Sequence, residues 1–446
     1  MAVNLIVPRV RSGGIMMSKK IIKIGLLGLG TIGGGTFKIL QLNEEQITRR
    51  AGAKLKVKKI LVRNLERPRT VEVAPELLTT DPHEILDDPE IDVVVELIGG
   101  VGDARRYIEA ALRAKKFVIT ANKDLMATHG YELLTLAKEC GSNIYYEASV
   151  GGGIPLIRPL KHSLGANRIT RIMGIINGTT NYILTKMSLE EMDFETALAE
   201  AQAKGFAEQD PTNDIEGRDA AFKLCILSGI AFNSHISIDD VYIEGINGIS
   251  KRDIFYAREL GFAIKLLVIG EQLETGLALK VHPTLIPLTH PLSAVLYENN
   301  ALFVVGNAVG EVMFYGLGAG SLPTGSSVVA DLIDVARNIN HQVENGIMEM
   351  DFQDKKILPR EELTSAFYLR LQAKDQPGVF ANLATAFGDE GVSLDMIIQK
   401  RSVGGQAEIV LITHAVVEKF FNNAVATIQR FPTINKINSI FRVIEN

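Results

Sequence analysis

At 446 residues, 46% hydrophobic and 22% charged, the chain exceeds one ordinary core and implies two to four domains of about 100 to 200 residues. A formal net charge of -5 gives no electrostatic footprint for nucleic acid or an anionic membrane, and no run of about 18 apolar residues offers a membrane span. Two cysteines, Cys140 and Cys225, cannot build a disulfide framework and suit a reducing, cytoplasmic setting.

Residues 1 to about 18 hold an apolar stretch broken by Pro8, Arg9 and Arg11, too short for a signal core, and are expected to form a disordered extension. From Lys20 the run IIKIGLLGLGTIGGGTFKIL reads as a strand, a glycine turn and a helix. Gly28, Gly30 and Gly33 make G-x-G-x-x-G: the first glycine permits the tight turn, the second a close approach to a pyrophosphate, the third close helix packing. Thr31 and Ile32 open the helix whose free N–H groups would meet the phosphates.

The next strand, Leu55 to Val62, ends at Arg63-Asn64 instead of the acidic residue that accepts the ribose 2′-hydroxyl of NAD. Arg63 there favours the 2′-phosphate of NADP, while Glu66 keeps NAD open. After a polar, proline-bearing segment (66 to 90), IDVVVELIGG, DARRYIEAALRA, FVITAN, YELLTLAKEC and NIYYEAS alternate as strand, helix, strand, helix, strand. Near-continuous apolar strands in that alternation imply a Rossmann-type doubly wound parallel α/β sheet over residues 19 to 150. Ligands bind such sheets at the carboxyl ends of the strands, where Leu97 and Lys123 stand. Lys123 by itself also fits a solvated loop lysine.

Gly151, Gly152 and Gly153 follow a strand and fit a hinge, a bend or a hard-cation site equally well. Residues 151 to 309 mix helices with strand-like KLLVIG and LALKVHPTLI, an α+β pattern. Within them, GFAEQDPTNDIEGRDAAFK gathers acids and a lysine before an apolar helix, and Asp219 and Lys223 share a helical face. A solvated i,i+4 pair is the ordinary reading; the apolar neighbours argue for a desolvated lysine suited to proton transfer. GLGAGSLPTG then introduces a helix, so the chain is expected to complete the dinucleotide domain by about 310 to 340. Residues 341 to 364 read as a linker, and 365 to 446 as a ferredoxin-like βαββαβ unit. The eight histidines form no metal-ligand spacing, and neither a G-x-S-x-G nor a Walker motif is present.

The segments GLLGLGTIGGG, TANKDLMA, YEASVGGGIP, NGTTNYIL, GFAEQDPTNDIEGRDAAFK and GLGAGSLPTG stand in the order and spacing of homoserine dehydrogenase, which the chain resembles from about residue 20 to 340. The last domain, with DQPGV, resembles an ACT domain, and no aspartate kinase segment precedes residue 20, as in the monofunctional form. The resemblance implies NADPH- or NADH-dependent reduction of L-aspartate 4-semialdehyde to L-homoserine, in the route to threonine and methionine. It implies Lys223 as proton donor, Lys123 as a lysine near cofactor and substrate, and Glu208 as the holder of the substrate ammonium with Asp219 beside it. Backbone carbonyls of Glu147, Val150, Gly152 and Ile154 would hold a structural monovalent cation, sodium. Leu97 and Gly318 would approach the cofactor, and Gly325 stands where alanine is expected. A homo-oligomer, dimer or tetramer, and feedback by threonine through the ACT domain complete the expectation.

Overall fold

The computed structural model describes residues 21–342 and 352–445, so the expected 1 to 18 extension and the middle of the expected linker lie outside the described residues. Strand β1 (Ile21–Leu27) is flanked by β2 (Lys54–Leu61) and β3 (Leu78–Thr79) on one side and by β4 (Val93–Glu96), β5 (Phe117–Thr120) and β6 (Ile144–Tyr145) on the other. All pair in parallel, in the order β3-β2-β1-β4-β5-β6. Val93, Val94 and Val95 are fully buried, as expected of strands covered by helices on both faces. Between β1 and β4 the strand order reverses, which opens a crevice at the strand ends. The two-residue β3 falls in the polar 66 to 90 segment, too short to show a period. β6 is shorter than NIYYEAS because Glu147–Ser149 coils into a 3-10 turn.

A second sheet is built from β7 (Ile169–Ile175), β8 (Tyr242–Ile243), β9 (Phe262–Leu273), β10 (Gly276–Pro287), β11 (Asn299–Gly306) and β12 (Gly310–Leu317). The apolar Arg218–Phe232 helix and the Gly178–Leu189 helix share a core with it. The last unit is β13 (Thr364–Lys374), a helix, β14 (Leu394–Val403), β15 (Gln406–Thr413), β16 (Val416–Val417), a helix and β17 (Ile434–Val443). Its main strands run β17-β13-β15-β14, the expected βαββαβ arrangement. What sequence pattern does not show is that β17 also pairs with β10, through Thr284↔Arg442 and Leu285↔Val443. One eleven-stranded sheet therefore runs through both units.

Buried ions reinforce that seam. Arg370 Nε donates to Asp253 Oδ1 at 2.7 Å, and Arg442, held within the last unit by both Glu418 oxygens at 2.7 and 2.8 Å, donates across the seam to Glu244 at 3.2 Å. The described part of the expected linker is packed too: the Leu277 N–H donates to the Lys356 carbonyl, the Leu358 N–H donates to the Leu277 carbonyl, and Leu358 and Leu363 are buried.

The return to the dinucleotide domain starts at Ser321, later than the expected 310, because Gly310–Leu317 is the edge strand of the second sheet. The Ser321–His341 helix crosses the Thr31–Leu42 helix closely and joins its core through Val328, Leu332 and Val335. A Cβ on Gly325 would stand 2.7 Å from the Thr36 nitrogen, so glycine at this position lets the two helices approach. Among the described residues no helix is long and apolar enough to cross a membrane.

Candidate active site

The glycine turn after β1 forms the first wall of the site. Gly28 has φ +103°, and a Cβ on Gly33 would lie 2.3 Å from the Gly28 carbonyl oxygen. Gly33→Ala is therefore expected to cost about 1 to 3 kcal/mol through overpacking, read as a lowered midpoint of denaturant unfolding, and to weaken dinucleotide binding. Gly30 faces open space, and the Thr31–Leu42 helix has no side-chain N-cap. The backbone donors of Thr31 and Ile32 are thus free for an anion, the arrangement that cradles a pyrophosphate.

The second wall follows β4. Glu96 is fully buried; its Oε1 accepts the N–H groups of Ile98 and Gly99 at 2.8 and 3.0 Å, and its Oε2 accepts the Thr120 hydroxyl at 2.6 Å. This carboxylate fixes the loop that carries Leu97, which is half-exposed at the crevice. At the end of β2, Arg69 folds back onto the carbonyls of Asn64, Leu65 and Arg67 and braces the loop, while Arg63 is exposed.

The cluster predicted from the helix pattern is assembled from three directions. Lys223 Nζ donates to Asp219 Oδ2 at 2.6 Å and to the Ile176 carbonyl at 2.9 Å. Its side chain is only 13% exposed, so the pair is not the ordinary solvated one. Lys123, at the start of the Lys123–Glu139 helix, places Nζ 3.4 Å from Asp219 Oδ1. Asp219 thus holds one lysine from each sheet's domain. Its burial pushes the carboxyl up, but the Lys223 and Lys123 ammoniums outweigh that and keep it below the usual carboxylate range. Burial lowers Lys123, and the charges of Asp219 and Asp124 more than reverse it, so its ammonium is held above its ordinary value.

Sequence reasoning missed two residues here. Asn177 Nδ2 donates to Asp214 Oδ1 at 2.7 Å and Asp219 Oδ2 at 2.8 Å, while its Oδ1 caps the Gly178–Leu189 helix through the Thr180 N–H. Asn122 caps the Lys123–Glu139 helix through the Leu125 N–H and donates to the Gly100 carbonyl at 2.7 Å. Each precedes a helix, so the N-cap preference for asparagine was the available signal. Asp214 is raised, by burial first and by the Asp219 charge second. Asp210 Oδ1 accepts the Thr212 N–H and hydroxyl and shapes the loop. Glu208 is exposed on that loop and is not drawn into the cluster; among the described residues its carboxylate takes no partner.

The glycine run after β6 turns through Gly151 (φ +75°) and Gly152 (φ +55°). The Glu147 carboxylate caps the following segment by accepting the N–H groups of Leu156, Ile157 and Arg158 at 2.6, 2.9 and 2.8 Å. The Gly152 carbonyl accepts the Ser327 hydroxyl at 2.6 Å, and Gly152 packs directly on Gly318. Val150 and Ile154 are buried in the same loop. The returning helix and this loop therefore meet at the site.

Comparison with known proteins matches this architecture. The family described as homoserine dehydrogenase matches residues 155–333, homoserine dehydrogenase, NAD binding domain, matches 28–147, and ACT domain matches 367–430. The homoserine dehydrogenase of Bacillus subtilis is 44% identical over 426 residues, 95% of this chain and 98% of that protein. A homoserine dehydrogenase structure from Thiobacillus denitrificans superposes with a TM-score of 0.91 at 44% identity, covering 96% of this chain and 100% of that one. A hyperthermophilic archaeal homoserine dehydrogenase in complex with NADPH has a TM-score of 0.58 at 26% identity, covering 71% of this chain and 97% of that one. Two lysines meeting on a buried carboxylate at the mouth of a dinucleotide cradle, within a fold and sequence of this kind, make the chain a member of the homoserine dehydrogenase family of NAD(P)-binding oxidoreductases, with a C-terminal ACT domain.

Proposed function

We propose that this enzyme reduces L-aspartate 4-semialdehyde to L-homoserine in the route to threonine and methionine, with Lys223 as the proton donor. The observation that carries the reading is the clamp of Lys123 and Lys223 on Asp219. A bound dihydronicotinamide supplies the hydride to the aldehyde carbon. The oxygen then needs a proton and positive charge: Lys223 delivers the proton and Lys123 stabilises the developing alkoxide. Asp219 holds both ammoniums in place and keeps that of Lys123 charged. Glu208, exposed and without a partner among the described residues, is free to take the substrate ammonium. Mixing enzyme, NADPH and aspartate semialdehyde and following the nicotinamide absorbance tests the reading. Steady decay is expected; dinucleotide binding without decay would mark a sensor instead.

Arg63 supports a preference for NADP, because an exposed guanidinium at the end of β2 suits a 2′-phosphate. Arg63→Ala should lower kcat/KM for NADPH by about 10- to 100-fold, the equivalent of one or two charge-assisted bonds, and leave NADH nearly untouched. Equal losses with both cofactors would remove Arg63 from this role.

The carbonyls of Glu147, Val150, Gly152 and Ile154 are proposed to hold a sodium ion as a brace. A loop wound through two left-handed glycines fits a hard cation with oxygen ligands; the Gly152 oxygen would share itself with Ser327. The exposed Met313, Tyr315 and Leu317 on edge strand β12 support a homo-oligomer, a dimer or tetramer. The ACT domain supports feedback by threonine, and its continuity with the catalytic sheet gives an effector a direct mechanical connection.

A further inference from the structure

A polar cavity of about 250 Å³ lies where the ACT strands meet the catalytic sheet, lined among others by Arg171, Glu271, Lys280, His282, Arg442 and Glu445. Its charges are unevenly paired. Arg442 is committed to Glu418 by two hydrogen bonds. Arg171 Nε stands 2.9 Å from Glu271 Oε1 without the alignment of a hydrogen bond. Lys280 is buried, and its ammonium approaches only that same Glu271, at 3.7 Å. Glu445 is exposed, and its Oε1 accepts the Ala415 N–H. The Lys280 ammonium is therefore held inside the seam by a long ion pair that it shares with Arg171.

His282 has the same difficulty. It is 1% exposed, Thr284 Oγ1 lies 2.8 Å from Nδ1, and Nε2 has no partner among the described residues. Nδ1 also lies 3.2 Å from the Pro283 carbonyl, and the Thr284 hydroxyl donates to the His282 carbonyl at 3.1 Å, so the Nδ1 side of the ring is satisfied in either tautomer and Nε2 is the atom left to face a ligand. Arg171 Nε, which lacks an aligned acceptor, the Lys280 ammonium, whose ion pair with Glu271 is long, and His282 Nε2, which has no partner among the described residues, therefore line one cavity, an arrangement an incoming acceptor would relieve.

We propose that this cavity is a carboxylate-binding site, and that the amino-acid effector enters it carboxylate first, with Glu445 available to its ammonium. The second half rests on the feedback reading given above. The cavity is below the about 300 to 1,000 Å³ typical of drug-sized ligands, which suits a small amino acid. Lys280 and His282 belong to β10, whereas Arg442 belongs to β17, so an occupant touches both units at once. The signal has a short path: Arg442 Nη1 donates to Glu244 at 3.2 Å, and two residues on the Ile246 N–H donates to the Ile215 carbonyl, beside Asp214 of the active-site cluster.

The test uses the full-length enzyme, with L-threonine and propionate as probes, in calorimetry and steady-state kinetics. Lys280→Met keeps the side-chain volume and removes the ammonium. It should weaken both probes by at least about 10-fold, with kcat in their absence unchanged. His282→Gln, which keeps an N–H near the Nε2 position, should retain binding that His282→Leu loses, and this pair serves if Lys280→Met fails to fold. Threonine inhibiting wild type and Lys280→Met equally would leave feedback standing and overturn the cavity as its site. Threonine without effect, but propionate binding only when Lys280 is present, would uphold the carboxylate site and remove threonine as its ligand. Binding of neither probe to the wild type overturns the site.

Discussion

Lys223→Ala is expected to lower kcat by about 10²- to 10⁴-fold, the usual consequence of losing a general acid, with the affinity for NADPH nearly unchanged. The two readouts separate because Lys223 stands on the Arg218–Phe232 helix, away from the glycine turn that would hold the phosphates. The fold should survive. Asp219 keeps Lys123 and Asn177 as partners, so removing Lys223 does not orphan a buried carboxylate. Only the Ile176 carbonyl loses its donor, a modest cost at a site water can enter. Lys123→Ala is the necessary comparison: it stands at the rim of the dinucleotide sheet and should raise KM as well as lower kcat. A Lys223→Ala enzyme with near-normal kcat would move the proton to another group, and Lys123 is the one within reach of the same carboxylate.

How much of this was legible beforehand follows from how local each feature is. The glycine fingerprint and the Asp219/Lys223 pair lie within single turns of chain, and both appear where the pattern put them. Lys123 was named, but its meeting with Asp219 joins residues almost a hundred positions apart, and no periodicity encodes that contact. Asn177 looked like a loop residue because its cap role and its bridge between two carboxylates use opposite ends of one amide. The ACT unit was readable as βαββαβ from alternating apolar strands. Its fusion to β10 was not, since an edge strand carries no mark of its partner. That fusion changes how regulation should be probed. Cutting the chain near residue 350 would leave Asp253 buried without Arg370 and bare the β10 edge, so point substitutions at the seam are the cleaner instrument.

The second large effect is predicted for Asp219→Asn, which keeps shape and removes the charge that both lysines face. Asp219 is the larger attraction holding Lys123 above its ordinary value against burial, with Asp124 second. Without it, burial prevails and the ammonium gives up its proton more easily. A group whose charged form is needed and whose pKa falls loses activity at lower pH. The alkaline limb of the kcat profile should therefore move to lower pH, and kcat at neutral pH should fall by about 10²- to 10³-fold. Asp214 supplies a check on this account. Its carboxyl is raised by burial and then by the Asp219 charge, and Asn177 ties it to the same cluster, so it is the second carboxylate beside the lysines. Asp214→Asn alone should be mild, whereas the double variant should lose more than the two single losses combined, a coupling that a double-mutant cycle measures directly. An unshifted alkaline limb in Asp219→Asn would mean that the carboxylate only fixes the lysines in space, and the electrostatic part of the mechanism would fall.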